Sequence, residues 1–207
     1  MTDYFALLDE PRRLWLDPDQ LKVKFLALSA EAHPDKMPAN RPADRATADH
    51  RFASLNAAYQ CLRNPKDRLR HWLELELGDL PKDLQEIPAD LADLFTEVGR
   101  FRRDANAFLA ASADIQSPLL RVRAFTEAQE WTDRLRALQA GLSSRQTKLM
   151  RELPNLDSEW VASKHDPERR RAVLRKVQNI HGQLSFYLRW SDQLQETVVQ
   201  LALRCTP

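Results

Sequence analysis

Glycine is nearly missing from this chain, with four in 207 residues. Tight turns and strand bulges draw on glycine because it enters the left-handed backbone region without steric cost, so so few of them fit an all-α protein. Cysteine is almost as scarce. Cys61 and Cys205 lie too far apart in sequence for a metal-ligand spacing, and none of the five histidines stands one helical turn from another metal-type ligand in a convincing cluster. No metal and no cofactor is expected. The chain also lacks a CxxC pair, a glycine-rich phosphate loop and a GxSxG elbow, and its carboxylates are scattered over charged helix faces. Nucleotide binding and covalent catalysis therefore have no sequence basis, and the chain is not expected to be an enzyme. No apolar run approaches the roughly 20 residues that span a bilayer. Near the start, acidic Asp3, Asp9 and Glu10 stand where a leader would be basic and then apolar, so the cytoplasm is the expected compartment. Charge imbalance is missing as well. With 31 basic and 30 acidic residues the net charge is +1, which argues against a general nucleic-acid or membrane-surface binder.

What remains is helical periodicity. A 43% hydrophobic content with a mean hydropathy of -0.55 is that of a globular chain, and the length allows one large or two small domains. Asp17 can cap a helix, Pro18 suits its first position, and Leu21, Phe25, Leu28 and Ala32 recur on one face. A second pattern over 51–62 repeats Phe52, Leu55, Tyr59 and Leu62, ending near Asn64 and Pro65, where proline opposes continuation. The two read as an antiparallel helical hairpin. Between them Pro38, Asn40, Pro42 and Asp44 show no periodicity and read as loop, with His33, Pro34 and Asp35 at its start.

In that setting the chain resembles the J domain of DnaJ-type co-chaperones, from Asp3, Tyr4 and Phe5 through His33, Pro34, Asp35 and Lys36 to Leu75. The opening DYFALL, the connection through Pro11, Leu14 and Leu16, and the run LNAAYQCLRNPKDRLRHWL over 55–73 are similar to the HscB type of iron-sulfur co-chaperone. The resemblance implies a J domain followed by a three-helix bundle. It further implies stimulation of ATP hydrolysis by a DnaK- or HscA-type chaperone and delivery to it of an IscU-type iron-sulfur scaffold. His33, Pro34 and Asp35 would contact the chaperone, with Lys22, Lys24 and Lys36 steering it. The chemistry is coherent: proline restricts the backbone, so imidazole and carboxylate are presented at little ordering cost. A charge-assisted bond from Asp35 to a chaperone arginine is worth about 1.5–3 kcal/mol, and it shifts a conformational equilibrium if it forms in only one chaperone state. The chain departs from the family at Leu26, Ala27 and Ala30, where many relatives are polar or basic, and at Glu31 beside the motif.

The text GDLPKDLQEI over 78–87 reads as a connection, dividing a J domain at 1–77 from a helical bundle at 88–207. Leu91, Leu94, Phe95, Val98, Phe101, Ala105 and Phe108 carry the first bundle helix. Ser117 and Pro118 start the next, which Pro154 is expected to stop, followed by a short segment around Trp160. Asp166 and Pro167 open the last helix, where Val173, Val177, Ile180, Leu184, Tyr187, Leu194, Val198 and Leu201 form a seam. Three such helices need one another to bury their seams. Trp131, Trp160 and Trp190 read as packing residues, and Arg169, Arg170, Arg171, Arg175 and Lys176 as a solvated face. The pattern VLRKVQNIHGQL over 173–184 also matches the family, and the lack of an N-terminal CxxC pair matches its bacterial-like members.

The family resemblance makes the first bundle helix the client surface, with Leu94, Phe95 and Val98 as its apolar part. Where relatives are acidic, this chain has Arg100, Arg102 and Arg103, which reverses the sign presented to a scaffold. Three readings follow: an HscB-like co-chaperone, a J-domain protein with a different client, and a helical adaptor that has lost chaperone stimulation.

Overall fold

A computed structural model describes residues 2–32, 42–78, 91–113 and 115–204, without the side chains of 42–45 and 204. Seven helices make up the described elements: α1 Tyr4–Leu7, α2 Pro18–Glu31, α3 Pro42–Arg63, α4 Pro65–Leu77, α5 Ala92–Ala111, α6 Pro118–Ala162 and α7 Pro167–Arg204. They form two compact units, one of Met1–Lys82 with Arg151–His181, the other of Asp83–Met150 with Gly182–Pro207. Of the expected connection 78–87, all but Gly78 lies outside the described residues, as does Cys205.

In the first unit the helix starts are fixed by side chains that satisfy otherwise orphaned amides. Asp3 accepts from the N–H groups of Phe5 and Ala6, Asp17 from Asp19 and Gln20, and Asn64 from Lys66 and Asp67. Proline occupies the first position of α2 and α4, where its missing N–H costs nothing. Gly78, at φ 83°, ends α4 in the left-handed region that other residues resist. Leu21 of α2 and its C-cap residue Ala32 are buried as the spacing predicts, and the Phe25 ring stacks on Tyr59 of α3 at 4.2 Å and 7°. Phe5, Leu8, Leu14, Leu55, Leu62 and Leu69 are also buried, each removing enough apolar area to contribute about 1.5–3 kcal/mol.

Two sequence expectations fail here. The helix after the polar segment begins at Pro42, so Pro42 and Asp44 are helical and not loop. Proline is compatible with a first helical turn, and the alanines that follow favour helix, although no apolar period marks them. Secondly, Pro154 does not end its helix: α6 runs unbroken to Ala162 and includes Trp160. Proline deprives the Met150 carbonyl of its usual partner, a cost of about 3 kcal/mol. Leu153, Leu156 and Trp160, buried one turn apart, offset it. Trp160 meets Trp72 of α4 edge-on at 4.7 Å, and the Arg170 guanidinium lies 3.8 Å over the Trp160 ring while pairing with Glu76 at 3.3 Å.

In the second unit α5, the earlier part of α6 and the later part of α7 share one core. Leu94, Val98 and Ala105 meet Leu135, Leu142, Trp190, Leu194 and Leu201 there. Every seam residue assigned to the last helix, from Val173 to Leu201, is buried in one unit or the other.

Candidate functional site

His33, Pro34, Asp35 and Lys36 lie outside the described residues. Their mounting is described. On one side α2 closes with the Ala32 N–H donating to the Leu28 carbonyl at 3.0 Å, and Ala32 itself is buried, so the residue before His33 is held by the core. On the other side α3 begins at Pro42 and is tied to α2 by the Phe25 and Tyr59 stack.

The two lysines on α2 differ. Lys22 is exposed. Lys24 is spent within the chain, with its Nζ 2.9 Å from the Glu10 carboxylate and donating to the Asp9 carbonyl at 2.9 Å. Asp9 sits at φ 52°, a region aspartate tolerates better than most residues. The rest of the outward face is apolar: Val23 is 66% and Leu26 53% exposed, and Ala27 and Ala30 are exposed beside them.

Three side chains that the sequence did not single out hold this unit together. Arg68 is buried and donates from Nε to the Leu14 carbonyl at 3.0 Å and from Nη1 to the Leu62 carbonyl at 2.8 Å. Burial lowers its pKa to about 10, against which the Cys61 and Asp157 charges act, and it stays cationic at neutral pH. Asp157, buried on α6, accepts the Leu14 N–H at 2.8 Å and pairs with Arg13 at 3.2 Å. The Leu14 backbone is thus held at its N–H by a carboxylate and at its carbonyl by a guanidinium. His71 accepts the Tyr4 N–H on Nε2 at 3.0 Å, while its ring lies 4.6 Å from Tyr4 and 5.8 Å from Phe5. Burial lowers its pKa despite the Asp3 and Glu74 carboxylates, so it is neutral and able to accept. At Asp3 burial works upward, but the Arg12 side chain and the α1 amides outweigh it and the carboxyl pKa falls. No periodicity marks Arg68 or Asp157. The signal available was a charged residue inside an otherwise apolar helical stripe.

On α5 the expected client residues divide. Leu94 and Val98, one turn apart, are buried against the core of the second unit, Leu94 keeping 9% exposure and Val98 2%. Phe95, rotated away from that face, is 48% exposed with its ring 6.3 Å from Trp190. Of the arginines, Arg102 donates to Gln193 at 3.0 Å, Arg100 lies 5.4 Å over Phe101, and Arg103 is exposed. The later basic cluster is largely neutralised: Arg169 pairs with Asp166, Arg171 with Glu168 and Lys176 with Glu159. Among the described residues no group of three or more His, Cys, Asp or Glu side chains could hold a metal ion, and no helix is long and apolar enough to cross a membrane. The half-buried Cys61 thiol is pushed up to about 11 by burial and then by Asp67 and Glu74, which keeps it from acting as a nucleophile at neutral pH.

The DnaJ domain family model matches residues 3–71, whose ends are the Asp3 cap and the His71 acceptor. The co-chaperone protein HscB homologs of Bordetella pertussis and Bordetella parapertussis are each 33% identical over 127 residues, which cover 58% of this chain and 74% of the relative. Among solved structures, chaperone HscB from Vibrio cholerae superposes with a TM-score of 0.63 at 21% identity, covering 96% of this chain and 99% of that one. Human co-chaperone protein HscB gives 0.60 at 17%, covering 95% and 82%. These two likenesses concern the fold. With a DnaJ domain built on the α2 and α3 hairpin, and relatives matched over most of their length, the chain belongs to the HscB family of J-domain co-chaperones.

Proposed function

We propose that this co-chaperone stimulates ATP hydrolysis by a DnaK- or HscA-type chaperone through His33, Pro34 and Asp35, and that it brings that chaperone an iron-sulfur scaffold protein. The observation that carries the reading is the placement of the tripeptide directly after a buried helix end at Ala32, inside a DnaJ domain match. Proline at position 34 restricts the backbone beside Asp35, so its carboxylate needs little ordering to pair with a chaperone arginine. Lys22 and Lys36 steer the approach, while Lys24 contributes less because Glu10 already holds it. Residues 1–77 act as the J domain, 78–87 as the connection and 88–207 as the client-presenting part, although 151–181 packs with the first unit.

A second reading concerns the client. Leu94 and Val98 are core residues, so a partner on the outward side of α5 meets Phe95 on a helix that carries Arg100, Arg102 and Arg103, which favours a client other than a standard IscU-type scaffold. Steady-state ATPase assays with intact protein and Asp35→Asn test the chaperone half: stimulation lost in the variant is expected, and equal stimulation overturns it. Pull-down with an IscU-type scaffold tests the client half, and absence of capture with stimulation intact favours the second reading.

A further inference from the structure

The second unit carries a cleft between α5 and α6 with a volume of about 420 Å³. Its floor is Leu94 and Leu142, its walls Phe101 and Leu138. Gly141 lies at the centre of that α6 stripe. It is an exposed glycine in the interior of a long helix, where glycine is a poor choice. Nothing lies within 4 Å of a Cβ built on it, so no neighbour in the protein requires the missing side chain. The vacancy opens into the cleft.

The rim is basic. Arg134 and Arg145 stand one turn to either side of the central residues. Glu97 is the carboxylate among the lining residues. Arg134 also reaches Glu130 on its own helix, but at 3.5 Å between two exposed side chains, a pair that a ligand displaces easily. An apolar slot framed by guanidinium groups recognises an apolar side chain flanked by carboxylates.

We infer that this cleft binds an acidic segment of a client protein, with a leucine- or phenylalanine-type side chain seated over Gly141 and its flanking carboxylates on Arg134 and Arg145. A nucleic-acid strand is the poorer match, because its phosphates satisfy the arginines while the aliphatic floor stays uncovered. The inference rests on the client-presenting reading only for the source of the segment.

The intact isotope-labelled protein is titrated with a synthetic peptide of about twelve residues alternating aspartate with leucine, and backbone amide shifts are followed. Shifts confined to 97–101 and 134–145 are expected, and the same peptide with lysine for aspartate binds at least about tenfold more weakly. Gly141→Leu fills the slot: affinity falls about tenfold or more, while the thermal midpoint stays level or rises because a Cβ there meets no neighbour within 4 Å and leucine favours helix over glycine. Arg134→Glu with Arg145→Glu weakens binding as strongly. No shifts in the cleft, or a Gly141→Leu variant with unchanged affinity, overturns the inference. So does a twelve-nucleotide oligo-dT that shifts the same amides more strongly than the peptide. No chaperone is present, so failure here leaves the ATPase reading standing, and an ATPase-silent protein that binds the peptide separates the two in the other direction.

Discussion

Replacing Arg68 by methionine tests whether the buried charge holds the first unit together. Methionine keeps most of the stem volume and removes the guanidinium. Two bonds vanish, to the carbonyls of Leu14 and Leu62, each a charge-assisted contact worth about 1.5–3 kcal/mol, or about 3–6 kcal/mol together. Against that stands relief of a buried cation, whose pKa of about 10 against an ordinary 12.5 reports roughly 3 kcal/mol of unfavourable environment. Two stranded carbonyls tip the balance, and the net expectation is a loss of about 1–3 kcal/mol. Urea unfolding followed by tryptophan fluorescence reads it, since Trp72 and Trp160 both belong to this unit. A variant as stable as the parent, or more so, refutes the reasoning: the guanidinium would then be a burden that apolar packing could replace.

Further outcomes follow from the same contacts. His71 and His181 both have lowered pKa values, chiefly through burial, so the fold favours their neutral forms. Their contribution is complete above about pH 6.5 and is lost as pH falls below that value through each lowered pKa; the urea midpoint should drop between about pH 7 and 5, less steeply in His71→Gln, and a flat profile contradicts this. Pro154→Ala restores an amide to the Met150 carbonyl, about 3 kcal/mol less about 1 kcal/mol for a looser unfolded chain. Helix loss by circular dichroism should move up by roughly 4–8 °C, and no rise would mean that α6 has already adapted to the proline. Lys22→Met should weaken chaperone stimulation more than Lys24→Met, because Lys24 is engaged by Glu10 and the Asp9 carbonyl; the reverse order would show that this pair opens on docking.

Much of the fold could be read before any coordinates. Asp17, Pro18, Pro118 and Pro167 mark real helix starts, because capping and proline geometry are local and need no tertiary knowledge, whereas Asn64 and Pro65, which read as the end of one helix, also start α4. Pro154 misled for the complementary reason: its local cost is real, but Leu153, Leu156 and Trp160 bury across the same stretch, and burial depends on partners that the sequence does not display. The family resemblance groups Leu94, Phe95 and Val98 on one client surface, but adjacent helical positions point about 100° apart, so that one of the three is turned outward. Lys24 reads as a free cation until the chain folds Glu10 and Asp9 back beside it. Arg68 and Asp157 illustrate the same limit, since they meet at the Leu14 backbone, far from both in sequence.

Asp35 is the residue proposed to make this chain an activator of a DnaK-type ATPase. Single-turnover hydrolysis of ATP by the DnaK-type chaperones of the same organism, with intact protein and with Asp35→Asn, tests it most directly, because that change keeps the side-chain size and removes the charge. Accelerated hydrolysis that disappears in Asp35→Asn is the predicted result. Acceleration that survives the substitution, or no acceleration of any of these chaperones by the intact protein, contradicts it.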